Sequence, residues 1–99
     1  MPSTYLLHLE PSFGHAKHYA GWTPNGVRAR ASKHRNGTGA TLCRHAINAG
    51  CQLLVARTWT WATWQEARQH ERRLKQQGKS RYCPICRAER KANAQSNPV

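Results

Sequence analysis

Only four acids occur in this 99-residue chain, and all are glutamates: Glu10, Glu66, Glu71 and Glu89. Glu71 is the one that asks for a chemical reason. It is the lone acid in "ARQHERRLKQQGK" (67–79), among five Arg and Lys. A carboxylate there either neutralises a neighbouring cation or binds a divalent metal, which takes oxygen ligands. Arg30 and His34 lie four residues apart in "RASKH", so on a helix they are stacked neighbours. They can partner Glu71 in a buried ion pair, or form a phosphate clamp beside a carboxylate-bound metal. Tyr5 in "STYLLHL" and Tyr19 in "HYAGWT" complete the set. Each Tyr alone reads as a packed strand aromatic; together with Arg, His and Glu they can line one concavity.

The surrounding pattern says which elements must position these side chains. "TYLLHL" (4–9) and "AKHYAGWT" (16–23), separated by "EPSFGH", read as an antiparallel hairpin. Residues 23–37 read as a helix, with Thr23 or Asn25 as cap, Pro24 in the first turn and Gly37 at the end. A second short helix covers 40–50, and "CQLLVARTW" (51–59) reads as a third strand. The best-signalled helix runs over 63–78, from the capping box Thr63-Trp64-Gln65-Glu66 to Gly78. On it, at about 100° per residue, Trp64, Ala67, Glu71 and Leu74 fall within one stripe of roughly 80°. Glu71 is therefore expected in the middle of the face that packs against the sheet. On the first helix Val27, Arg30, Ala31 and His34 share a face, while Arg28, Ser32, Lys33 and Arg35 point elsewhere. The fold class is α+β, a small three-stranded antiparallel sheet flanked by helices. One domain is expected over 1–79, a CxxC-containing extension over 80–90, and a polar, disordered tail over 91–99.

Sixteen Lys and Arg against four acids give a net charge of +12. With four Trp and three Tyr, that excess draws anionic partners, nucleic acid foremost. The bland counterpart is a solvated basic surface. No apolar run approaches the ~20 residues that span a bilayer, and the N-terminus lacks a signal-peptide pattern. Four unevenly placed Cys argue against a disulfide framework and for a reducing, cytoplasmic setting.

The ordered elements resemble the GIY-YIG endonuclease superfamily, especially its small stand-alone bacterial members. The first motif is the degraded "STY", the second is "YAG", the Arg-to-His spacing is "RASKH", and the later Glu-Leu-Lys helix is "ERRLK". The match spans about residues 4 to 75. It implies a metal-dependent endonuclease that hydrolyses DNA phosphodiester bonds. Tyr5 and Tyr19 would then activate and orient the attacking water, and Arg30 would hold the scissile phosphate. His34 would support the site by hydrogen bonding, and Glu71 would bind one divalent ion, Mg²⁺ or Mn²⁺. Lys17, Arg28, Lys33, Arg35 and Lys75 are the basic side chains expected to meet the nucleic acid, with Lys17 or Arg28 standing in for the family's basic residue after the second motif. A dimer or a partner would serve double-strand cleavage. The departures, a missing Gly and Ile in the first motif and Ala20 for Ile in the second, fall on packing positions. The alternative is a catalytically idle nucleic-acid-binding module of the same fold.

"RYCPICR" sets Cys83 and Cys86 at zinc-knuckle spacing, half of a structural Zn²⁺ site. Cys43, Cys51, His45 and His70 are the candidates for the other half. Without them, the segment is a redox-inert turn packed on the last helix. A zinc-organised interaction protein is a third functional class that rests on this pair alone.

Overall fold

The computed structural model describes residues 1–24, 26–37, 39–77 and 79–89. The expected tail over 91–99, Gly78 and the candidate cap Asn25 lie outside the described residues. Three strands form one antiparallel sheet: β1 (Ser3–Phe13), β2 (Ala16–Thr23) and β3 (Gln52–Thr60), in the order β2-β1-β3. The α+β class read from the sequence is the one observed. Because β1 is central, both of its faces are covered, and Ser3 to Leu9 are buried without a break.

Strand alternation divides those residues between two cores. Tyr5, Leu7 and Leu9 face the front, where they meet Leu53, Cys43, Ala46 and Cys51. Leu6 faces the back with Ala20, Leu74 and Cys83. The front is roofed by α1 (Val27–Arg35) and α2 (Thr41–Asn48), the back by α3 (Trp64–Gln76). On α1 the inward side chains are Ala31 and His34, the two that are buried, as the shared face predicts. Arg35 ties this helix to the sheet by donating from Nε to the Leu53 carbonyl (3.2 Å).

The expected start of α1 at 23–24 is corrected to Val27. Thr23 pairs with Ser3 in the hairpin ladder, so the sheet claims the residue that would have capped the helix. Gly26 takes the cap position with no side-chain hydrogen bond. The first strand is also longer than expected. It runs through Pro11, because pairing resumes at Phe13 opposite Ala16 around a tight turn at Gly14, whose φ of 59° suits glycine.

α3 begins as its capping box requires, with Thr63 Oγ1 accepting from the Glu66 backbone N–H (3.2 Å). Ala67 and Leu74 are fully buried, but Trp64 is 47% exposed. Glu71 flanks the buried stripe rather than lying at its centre, with a side chain 21% exposed. α3 packs on the edge strand β2 and the central β1. A helix seated towards a sheet edge buries a narrower stripe than one lying across the middle. Beyond α3 come a 3₁₀ turn (Lys79–Tyr82) and a last helix, α4, over 84–89.

Leu74 is the largest apolar side chain that α3 buries. Leu74→Ala should cost about 2–5 kcal/mol in urea unfolding, against about 1 kcal/mol for loss of the cap in Thr63→Ala.

Candidate functional site

The front core contains a buried polar group. Tyr5, 1% exposed, meets His34, 0% exposed, through a 2.8 Å contact between its hydroxyl and Nε2. The tautomer follows from the other ring nitrogen. The Ala40 backbone N–H donates to Nδ1 (3.2 Å), so in the neutral ring the proton sits on Nε2. His34 therefore donates to the Tyr5 oxygen. Two glycines make room for the pair. A Cβ on Gly21 would run into the Tyr5 phenol, and one on Gly39 into the His34 ring. The Gly of "YAG" is thus explained by packing alone.

Tyr19 stands opposite Leu7 on β2, on the same sheet face as Tyr5, and is half-buried. Its ring lies 6.3 Å from that of Tyr5 and meets His34 edge-on at 5.1 Å. Arg30, one turn before His34, reaches the whole group. Its guanidinium lowers the pKa of Tyr5, Tyr19 and Cys43 and disfavours protonation of His34. Burial wins nevertheless: Tyr5 is pushed up to about 12, and Tyr19 is raised as well. His34 is lowered, first by burial and then by Arg30, so it is held neutral.

Glu71 enters from α3. Its carboxylate field contributes to raising Tyr19, which places it within electrostatic range of that phenol. Among the described residues its ion pair is with Lys75 one turn on, at 3.4 Å and largely solvent-facing. The buried pairing of Glu71 with Arg30 or His34 is thus not what the structure holds. Tyr5, Tyr19, Arg30 and His34 gather into one neighbourhood, and Glu71 lies within electrostatic range of Tyr19. Lys17, Arg28, Lys33, Arg35 and Lys75 are all exposed. Arg35 is committed in part to the Leu53 carbonyl, and Lys17 borders a different cleft, with His8, Cys86 and Glu89.

That second cleft adjoins the feature sequence reasoning only half found. Behind the sheet, His8 and His18 converge with Cys83 and Cys86, their ligand atoms all within 4.8 Å of one another, a group that could hold a metal ion. The expected partners of the two cysteines are corrected. Cys43 and Cys51 belong to the front core, His45 is exposed, and His70 bonds Thr4 Oγ1 at 2.6 Å. The missed signal was strand phase. His8 is out of step with Tyr5, Leu7 and Leu9, and His18 with Tyr19, so a hairpin that sends the tyrosines forward sends both histidines back.

Family models, curated proteins and solved structures give no match to this chain. No helix among the described residues is long and apolar enough to cross a membrane.

The pKa directions predict how stability depends on pH. Tyr5 binds its proton more tightly folded than unfolded. Its contribution is therefore complete below pH ~10, the unfolded value, and lost as pH rises towards about 12. His34 works at the other end. Its folded pKa is depressed, so its contribution is present above pH ~6.5 and lost as pH falls below that value. Unfolding midpoints against pH should thus fall off at both ends, and Tyr5→Phe should flatten the alkaline side.

Proposed function

We propose that the protein is a metal-dependent DNA endonuclease of the GIY-YIG type. The observation that carries this is the convergence of Tyr5, Tyr19, Arg30 and His34 on the front of the sheet, with Glu71 brought into range from α3. A buried His34 held neutral sets a fixed N–H donor against the Tyr5 oxygen, which supports this reading. The net charge of +12 supplies long-range attraction for a polyanion.

The donor set suits a hard dication such as Mg²⁺. Glu71 is partly exposed, and its partner Lys75 is flexible and half exposed, so the carboxylate oxygens are free to turn. Mg²⁺ keeps most of its waters and takes one or two carboxylates together with substrate phosphate oxygens. When bound by Glu71, the ion supplies a Lewis acid for the phosphate oxygens and cancels the carboxylate field now raising Tyr19.

The chain's own groups do the remainder. Arg30 offers fixed positive charge where negative charge accumulates on the phosphorus oxygens. Tyr5 is the phenol prepared to carry charge, because His34 Nε2–H donates to its oxygen and the Arg30 guanidinium also favours its ionised form. In its ionised form, its own proton having passed to solvent, Tyr5 takes the proton from the attacking water as the water oxygen bonds to phosphorus. The P–O bond to the leaving nucleotide breaks, and that oxygen is protonated from solvent. Tyr19 orients the water and phosphate. His34 stays neutral throughout, holding the Tyr5 oxygen in place.

Three measurements test this. Glu71→Gln should lower cleavage of duplex or nicked DNA by orders of magnitude while binding stays level or tightens. An exposed i,i+4 pair is worth at most about 0.5 kcal/mol, so the melting temperature should hardly move. A variant that still cuts at the wild-type rate would remove Glu71 from the chemistry. Tyr5→Phe should lose about 10²–10⁴-fold in rate, together with the rise in rate with pH that a base of high pKa imposes. DNA binding should weaken steeply with salt, log K falling in proportion to the phosphates neutralised. Salt-dependent binding with no cleavage under any divalent ion would identify an idle binding module instead.

A further inference from the structure

The back of the sheet carries four Lewis bases aimed at one point, and none of them belongs to the front site. His8, His18 and Cys83 are 4%, 6% and 0% exposed, and Cys86 is half-buried. His8 and His18 face each other directly across β1 and β2. Cys83 precedes α4, whose first turn closes with the Arg87 N–H donating to the Cys83 carbonyl (3.0 Å). Pro84 fits the first helical position, and Cys86, three residues on, presents its sulfur on the same side.

The spacings are those of a coordination shell. His8 Nδ1 lies 3.3 Å from His18 Nε2, 3.5 Å from Cys83 Sγ and 3.6 Å from Cys86 Sγ, and Cys86 Sγ lies 3.2 Å from His18 Nε2. Zinc bonds of ~2.0–2.1 Å to nitrogen and ~2.3 Å to sulfur give tetrahedral edges of roughly 3.3–3.8 Å. His8 donates from Nε2 to the Glu10 carboxylate (2.9 Å), which leaves Nδ1 unprotonated in the neutral ring. One lone pair then faces three neighbours, which a single cation satisfies and three separate hydrogen bonds cannot. The Glu10–His8 contact is also the outer carboxylate that commonly orients a metal-bound imidazole.

We propose that His8, His18, Cys83 and Cys86 form a closed Cys₂His₂ structural zinc site that fastens α4 to the back of the hairpin. Two thiolates with two imidazoles, and no fifth ligand in the group among the described residues, favour Zn²⁺ over the oxygen-seeking ions. Its role is structural, since all four positions of the tetrahedron are filled by protein. It does not depend on the front site's chemistry.

The test uses the whole chain and no DNA. Protein produced with zinc supplied and then gel-filtered should carry about one zinc per chain, and Co²⁺ exchanged into it should give the intense visible bands and sulfur charge-transfer absorption of a tetrahedral site. Cys86→Ser and His18→Gln should each reduce the retained zinc at least about tenfold. As a check that needs no variant, a chelator should make two further thiols reactive towards a disulfide reagent, and zinc should protect them again. Protein with less than about 0.1 zinc per chain, a six-coordinate cobalt spectrum, or full zinc in Cys86→Ser would overturn the assignment.

Discussion

The structure depends on one strand being central. β1 has a partner on each edge and a helical layer on each face, so its two sets of alternate side chains both point into protein. In an edge strand one set would face water. Here both sets carry polar chemistry into buried surroundings: Tyr5 to the front and Thr4 and His8 to the back. Every buried polar side-chain atom among the described residues has a partner. Thr4 shows how completely the strand is used, since its hydroxyl accepts from Trp61 Nε1 at 3.0 Å while also meeting His70. The cost of burying such groups is offset only while the partners stay in register.

Arg30 illustrates how one charge can organise a neighbourhood without being buried. It is half-exposed, yet it acts on two phenols, an imidazole and a thiol. Its effects are opposite in kind. It draws the phenols towards ionisation and pushes the imidazole away from protonation, so Tyr5 gains a donor that is permanently neutral. The same contest recurs behind the sheet, where burial, Arg73 and Arg57 all lower His70. Both His34 and His70 are thus held towards the neutral form.

Much of this was legible in the residues. The three strands, three of the helices and the shared face of Ala31 and His34 follow from periodicity and capping alone. What escaped was decided by contacts across the sheet. Thr23 looked like a helix cap until it was needed opposite Ser3. Trp64 shared a stripe with Ala67 and Leu74 but stayed exposed, stacked at 6.4 Å on Trp22 beneath the Arg68 guanidinium. Cys83 and Cys86 announced half a cluster by spacing, whereas His8 and His18 were hidden in two strands whose alignment no local pattern states. Glu71, expected in the middle of the inward face, flanks the buried Ala67 and Leu74 instead.

The pairing of His8 with His18 bears on how the hairpin finds its alignment. Side chains alternate along a strand, so a slip of one residue would turn Tyr19 to the back and His18 to the front. The ladder between His8 and Phe13 is already irregular, which leaves that end of the hairpin weakly indexed by backbone bonding. A group in which both strands and the Cys83–Cys86 segment meet at one point is compatible with a single offset. The cysteines follow His18 by some 65 residues in order of synthesis, so contacts made by a later segment depend on a match made within the hairpin.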